Sequence, residues 1–169
     1  MTVAAESTIL ETWESLCEDP RFQGIPFKIE TDQSGRIVRS PTKNYHGFFS
    51  SRINRLLEQL MAGGVTGNEI GVVTPQGVKV PDSVWVSPER FRTLFNESAS
   101  SIAPEICVEV LSGTNTPREF AEKRELYFRA GAAEVWTCDA EGALRFFGPK
   151  GELRRSGLCP KFPKMIGAM

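Results

Sequence analysis

Apolar residues recur at helical spacing over residues 45–60, where Tyr45, Phe48, Phe49, Ile53, Leu56, Leu57 and Leu60 fall three and four apart. That spacing predicts one amphipathic helix, started by Thr42 or Asn44 and stopped by Gly63-Gly64. At about 100° per residue, His46 lies at the edge of the apolar face rather than opposite it. A shorter helix is predicted over residues 7–17, capped by Ser7 or Thr8 and ended by Glu18-Asp19-Pro20. Between the two, Phe27-Lys28-Ile29-Glu30 and Arg36-Ile37-Val38-Arg39 alternate around Asp32-Gln33-Ser34-Gly35. That is the pattern of a β-hairpin, and Pro41 ends it.

Short strands are predicted at residues 68–74, 78–80 and 82–86, with a turn at Pro75-Gln76-Gly77. Ser87-Pro88-Glu89 starts a helix through Phe91 and Leu94, and residues 96–103 read as a polar loop. Residues 105–111 have the composition of a buried strand. Thr116-Pro117-Arg118-Glu119 is a capping box with Pro at the first helical position, so a helix runs from there to Ala130 and is closed by Gly131. Strands at residues 134–138, 144–147 and around Leu153 follow, with turns at Glu141-Gly142 and Lys150-Gly151 and a Pro-rich tail. Strand, helix, strand over residues 105–138 predicts a right-handed parallel crossover. The class is α/β or α+β around a mixed sheet.

Composition narrows the function classes. The chain has 169 residues, enough for one domain, or a domain with a short arm, and enough to bury a core without disulfides or metal. With 40% apolar and 24% charged residues it is neither collagen-like, coiled-coil nor wholly disordered. No apolar run approaches the roughly 18–20 residues of a membrane span. The first ten residues carry Glu6 and no basic residue ahead of an apolar core, so no secretory signal is read and a cytoplasmic location is expected. Twenty basic against 21 acidic residues argue against tight, non-specific coating of DNA, though not against a local basic patch. Cys17, Cys107, Cys138 and Cys159 are far apart with no C-x-x-C pair, which predicts buried reduced thiols rather than a zinc site.

Phosphate-binding loops, dinucleotide fingerprints, zincin helices and nucleophile elbows are all missing from the sequence, and His46 is the only histidine. Any catalysis therefore falls to carboxylates, Lys and a hard cation. Glu109 is the sharpest anomaly, an acid among Ile106, Cys107, Val108, Val110 and Leu111. An isolated ionised carboxylate there is costly unless paired or coordinated. Two readings stand: Glu109 reaches a solvated edge or a structural Arg, or it is a cation ligand. Asp82, after Pro81, is either a turn residue entering a strand or a second such ligand. Two carboxylates on strands suit Mg²⁺, which takes a few carboxylates plus waters and a phosphate. Lys123 shares a helix face with Phe120, Tyr127 and Ala130, so it either snorkels or meets a buried acid; Arg124 lies near that face too. A third, blander reading makes Glu109 and Lys123 a structural ion pair.

Taken in order, these segments resemble the Uma-two family, within the PD-(D/E)XK superfamily of restriction-endonuclease-like proteins. The resemblance is carried by Phe27-Lys28-Ile29-Glu30, Gly35-Arg36-Ile37-Val38, Ser40-Pro41, His46-Gly47 and Val80-Pro81-Asp82. It continues through residues 103–112, Glu122-Lys123-Arg124-Glu125-Leu126-Tyr127-Phe128 and residues 131–136. It covers residues 25–169, so residues 1–24 are read as a helical arm and the rest as the nuclease domain. It implies an α/β restriction-endonuclease-like core, a mixed β-sheet flanked by helices, and Mg²⁺-dependent hydrolysis of DNA phosphodiester bonds, with Mn²⁺ as a substitute. Asp82 and Glu109 would hold the metal with a backbone carbonyl from Val110, and Glu30 would assist its water shell. In the wider superfamily a Lys sits two residues after the second acid; here that position is Leu111, and the resemblance implies that Lys123 on the following helix takes its place, where it would position the water or stabilise developing negative charge. His46 would line the site or touch the phosphate, or be a helix-terminal structural residue; Glu134 is read as structural. A homodimer is expected, since cutting both strands calls for two sites related by a twofold axis. The alternative is a catalytically silent binding or accessory protein on the same fold.

Overall fold

The computed structural model describes residues 3–22, 28–40, 43–111 and 116–167. Its centre is a six-stranded sheet in the order β10-β9-β8-β7-β6-β3. The strands are β3 (Val65–Gly67), β6 (Ser83–Val86), β7 (Ile106–Val110), β8 (Glu134–Cys138), β9 (Leu144–Gly148) and β10 (Gly151–Leu153). Only β7 and β8 run parallel, with Ile106 opposite Glu134 and Val110 opposite Cys138; the other neighbours are antiparallel. The connection between β7 and β8 is helix α4 (Pro117–Arg129). The capping box is present: the Thr116 hydroxyl accepts from the Glu119 N–H, and the Glu119 carboxylate accepts from the Thr116 N–H.

Helices cover both faces, which is why every residue of β7 and β8 is buried. Helix α2 (Asn44–Leu60) lays Phe49, Ile53 and Leu57 on Ile106, Val108, Val110 and Trp136. Side chains alternate along a strand, so Cys107 and Glu109 face the other way, toward α4. There Tyr127 packs with Cys107 and Val135. A short helix α3 (Pro88–Leu94), capped by Ser87 as predicted, packs Leu94 against Val84 and Val86.

Two small hairpins sit beside this core. One joins β1 (Lys28–Thr31) to β2 (Ile37–Ser40); the other joins β4 (Val72–Thr74) to β5 (Gly77–Lys79). They are stitched together: the Val78 N–H donates to the Thr31 hydroxyl at 2.8 Å, and the Val80 N–H to Glu30 Oε1 at 3.0 Å. Gly77 makes the approach possible, because it has φ +87° and a Cβ there would collide with the carbonyl oxygens of Thr31 and Asp32. Helix α1 (Val3–Glu18) packs Trp13 on Val73, Val78 and Val80, and the Trp13 indole donates to the Ser98 carbonyl at 2.9 Å.

Three local expectations differ from the structure. Residues 68–74 are not one strand: pairing begins earlier, at β3, and the chain turns at Glu69, whose φ is +58°, before β4. The segment 96–103 is not merely a polar loop, since Ala99, Ser100 and Ala103 are buried and Ser100 bridges to Val72. Cys17 is exposed, while the other three thiols are buried and unpaired. The expected helix start at Thr42, the strand start at Phe27 and the hairpin end at Pro41 lie outside the described residues.

Candidate functional site

Strand β6 is flanked by β7 along its length, and the ladder continues one residue beyond it: the Asp82 N–H donates to the Val108 carbonyl at 2.9 Å. Among the described residues the Val110 N–H then has no backbone partner on that side. Asp82 supplies one, its Oδ2 accepting from Val110 at 2.7 Å. In an extended strand the carbonyl of a residue faces the same edge as its N–H, so the Val110 carbonyl faces the Asp82 side as well.

Glu109 is the neighbouring residue on β7, and it is 7% exposed. Helix α4 satisfies it with two groups four residues apart: the Tyr127 hydroxyl donates to Oε1 at 2.7 Å, and the Lys123 ammonium lies 2.9 Å from the same oxygen. The Lys123 ammonium also donates to Glu30 Oε1 at 2.6 Å. Glu30 comes from the β1–β2 hairpin, and Lys28 stands on the same face two residues earlier. The Lys28 ammonium lies 2.9 Å from Asp82 Oδ1, 3.7 Å from Glu30 Oε1 and 3.9 Å from Glu109 Oε2. The four acids and bases named from the sequence, Asp82, Glu109, Glu30 and Lys123, therefore meet in one cluster. Lys28 joins them.

Burial and charge pull the cluster in opposite directions. For Glu109 burial dominates, and it raises the carboxyl above its ordinary range despite Lys123 and Lys28. For Glu30 burial also pushes upward, but the Lys123 and Lys28 ammoniums outweigh it and hold the carboxyl below its usual value. Burial alone would lower Lys123; Glu109 and Glu30 more than reverse this and keep it protonated. Tyr127 is pushed well up by burial, so its hydroxyl stays a donor to Glu109.

A cleft of about 1010 Å³ opens beside Asp82, between α1, α2 and the turn after β3. Lys28, His46, Asn54, Arg55 and Asn68 are among its walls. His46 is nearly buried, its Nδ1 stands 3.8 Å from Asp82 Oδ2, and neither ring nitrogen has a hydrogen-bond partner among the described residues. Burial lowers its pKa, so the ring is neutral at pH 7. The bonded Glu109–Lys123 pair is what the purely structural reading expects, but that reading also expects no opening near Asp82, and there is one. Glu134 accepts from the Trp136 indole and from the Gly157 and Leu158 N–H groups, a structural tie of the tail to β8.

Among the described residues, no three His, Cys, Asp or Glu side chains are arranged as ligands of one metal ion. The space between the carboxylates holds the Lys28 ammonium, a compact monocation ringed by three acids. The donor set thus suits a cation. Two carboxylates, a carbonyl and waters fall below a count of three side chains yet match what Mg²⁺ takes. An ion on Asp82 Oδ1 would compete with Lys28, which bonds that oxygen.

Two signals escaped the sequence reading. Lys28 was visible only as part of the hairpin motif, and alternation does not say which hairpin face turns inward. Tyr127 stood on the face of Lys123 and looked like core, which it also is.

The fold is a mixed sheet with one parallel crossover, carrying acids from two neighbouring strands beside a cleft. The same fold is found in the crystal structure titled "putative nuclease belonging to DUF820" from Anabaena variabilis ATCC 29413. The two superpose with a TM-score of 0.64 at 15% identity, covering 81% of this chain and 86% of that one. The family model Uma2, described as "Putative restriction endonuclease", matches residues 11–157. The chain belongs to the Uma2 family, as the resemblance in its sequence implied. No curated protein matches it.

Proposed function

We propose that the protein is a Mg²⁺-dependent endonuclease that hydrolyses DNA phosphodiester bonds, Mn²⁺ substituting for Mg²⁺. The observation that carries this is the convergence of Asp82, Glu109, Glu30 and two lysines on one cation-filled nest beside a cleft. Family membership and the fold support a nuclease function at the coarser level.

Asp82, Glu109 and the Val110 carbonyl are the residues that would hold the ion, which when bound supplies Lewis-acid activation of phosphate and water. Glu30 would steady the surrounding water. Lys123 bridges Glu109 and Glu30 and offsets their mutual repulsion, since without it three acids would crowd one site. Two such sites on a twofold dimer would cut both strands. No described helix is long and apolar enough to cross a membrane, and a cytoplasmic location is part of this proposal.

One observation favours a second reading, a catalytically silent binding or accessory protein: two ammoniums already compensate the acids. Calorimetry with Mg²⁺ and Mn²⁺ and a plasmid-nicking assay separate the two. The nuclease reading expects ion binding and nicking in the wild type and neither in Asp82→Ala. Nicking that survives in Asp82→Ala removes the assignment, and a folded wild type that binds no ion supports the silent reading.

A further inference from the structure

The cluster holds two ammoniums that differ in what they can reach. Lys123 is engaged by Glu30 at 2.6 Å and Glu109 at 2.9 Å, and is not among the residues lining the cleft. Among the described residues its ammonium lies within 4 Å of Glu30 and Glu109 but not of Asp82. Lys28 lines the cleft beside Asp82 and His46. Among the described residues it alone comes within 4 Å of Asp82, Glu109 and Glu30 together. Among the described residues it makes one hydrogen bond from its ammonium, to Asp82 Oδ1, and its other two acid neighbours lie beyond hydrogen-bond distance. An ammonium carries three donors. Lys28 therefore keeps donor capacity toward the open side.

From this geometry we propose that Lys28, on the first hairpin, is the catalytic ammonium that contacts the scissile phosphate, while Lys123 acts only through the two acids it holds. The inference rests on the phosphodiesterase reading above. In the reaction, the oxygen of water forms a bond to phosphorus as the bond from phosphorus to a sugar oxygen breaks with its electron pair. One water proton ends on that sugar oxygen and the other on the new phosphate or in solvent. Lys28 neither gives nor takes a proton. It donates hydrogen bonds to a non-bridging oxygen, where negative charge grows, and in a site partly closed to water such a donor is worth a large factor in rate.

The test is single-turnover cleavage of a DNA duplex with Mn²⁺ or Mg²⁺. Lys28→Ala is expected to cut at least a hundredfold more slowly at saturating DNA, with millimolar ethylammonium restoring part of the rate. A Lys28→Cys chain, made with Cys17→Ser, gives the second arm. Alkylation with 2-bromoethylamine, which rebuilds an ammonium of lysine length, should restore cutting, while the neutral adduct of iodoacetamide should not. Lys28→Met, which keeps the apolar stem, replaces Lys28→Ala should the latter unfold. Wild-type cutting by Lys28→Met, or equal rates for the charged and neutral adducts, overturns the assignment while leaving the nuclease reading intact. A wild type that cuts no DNA with either ion overturns both.

Discussion

Glu109 sits on the central strand with its carboxylate between Tyr127 and Lys123, and the Lys123 and Lys28 ammoniums offset part of what burial costs its ionised form. Removing the cation while leaving the acid is the harsh change. Lys123→Met should cost about 3–5 kcal/mol in urea unfolding, the usual price of an uncompensated buried charge. Adding Glu109→Gln to the same chain should recover a large part, because the charge at the Glu109 site is then gone and Glu30 keeps the Lys28 ammonium 3.7 Å away. Equal stability of Lys123→Met and wild type would show that the pair contributes nothing. At this scale the sequence was most informative where a residue contradicted its surroundings. Glu109 was legible because an acid does not belong in Ile-Cys-Val-Glu-Val-Leu. Lys28 was not, because a Lys in an alternating hairpin is ordinary, and only the packing of that hairpin on β5 turns it inward.

The hairpin from β1 to β2 is the element that delivers Lys28 and Glu30, so its geometry controls the site. Gly77→Ala should destabilise the protein by more than about 1 kcal/mol, since the turn needs positive φ and the methyl would meet the carbonyls of Thr31 and Asp32. Thermal unfolding checks this, and cleavage should fall with it because the same contact seats the hairpin. The hairpin turn has its own acid, Asp32, whose carboxylate accepts from the Ser34 hydroxyl and from the Ser34 and Arg36 N–H groups. These bonds, the Ser34 hydroxyl foremost, hold its pKa well below the ordinary 3.8. A depressed folded value means that the stabilisation is complete above about pH 4 and is lost as pH falls toward the folded value. Wild type should therefore lose more stability in that acid window than Asp32→Ala does, by urea unfolding at stepped pH. Elements with local signals were legible: the capping box of α4 and the Ser87 cap of α3 fixed their starts. Strand β3 was not. Val65-Thr66-Gly67 is too short to show alternation, and only pairing with Val84, Trp85 and Val86 defines it.

In the whole molecule, three acids and two ammoniums drawn from a hairpin, two central strands and a crossover helix form one charge cluster inside the fold. An ion that binds only the folded arrangement must stabilise it by mass action, about 2.7 kcal/mol at a hundredfold excess over Kd. For a chain of this length that is a rise of several degrees in Tm. Adding Mg²⁺ or Mn²⁺ should raise Tm in the wild type and leave Asp82→Ala unmoved, read by differential scanning fluorimetry. The overall architecture was legible because the β7–α4–β8 unit has strong local signals and a both-faces-buried composition. The seating of the two hairpins was not, since it depends on side-chain-to-backbone bonds between segments some fifty residues apart, such as Glu30 to Val80.

The arrangement of thiols gives the molecule a built-in reporter. Cys107, Cys138 and Cys159 are buried in the core, whereas Cys17 is exposed and sits in the wall of the cleft. A fluorescent maleimide on the native protein should therefore attach at a single place, within the groove that the substrate is proposed to enter. A duplex that fills the groove should slow the attachment or change the dye's emission, and a duplex lodged elsewhere should do neither.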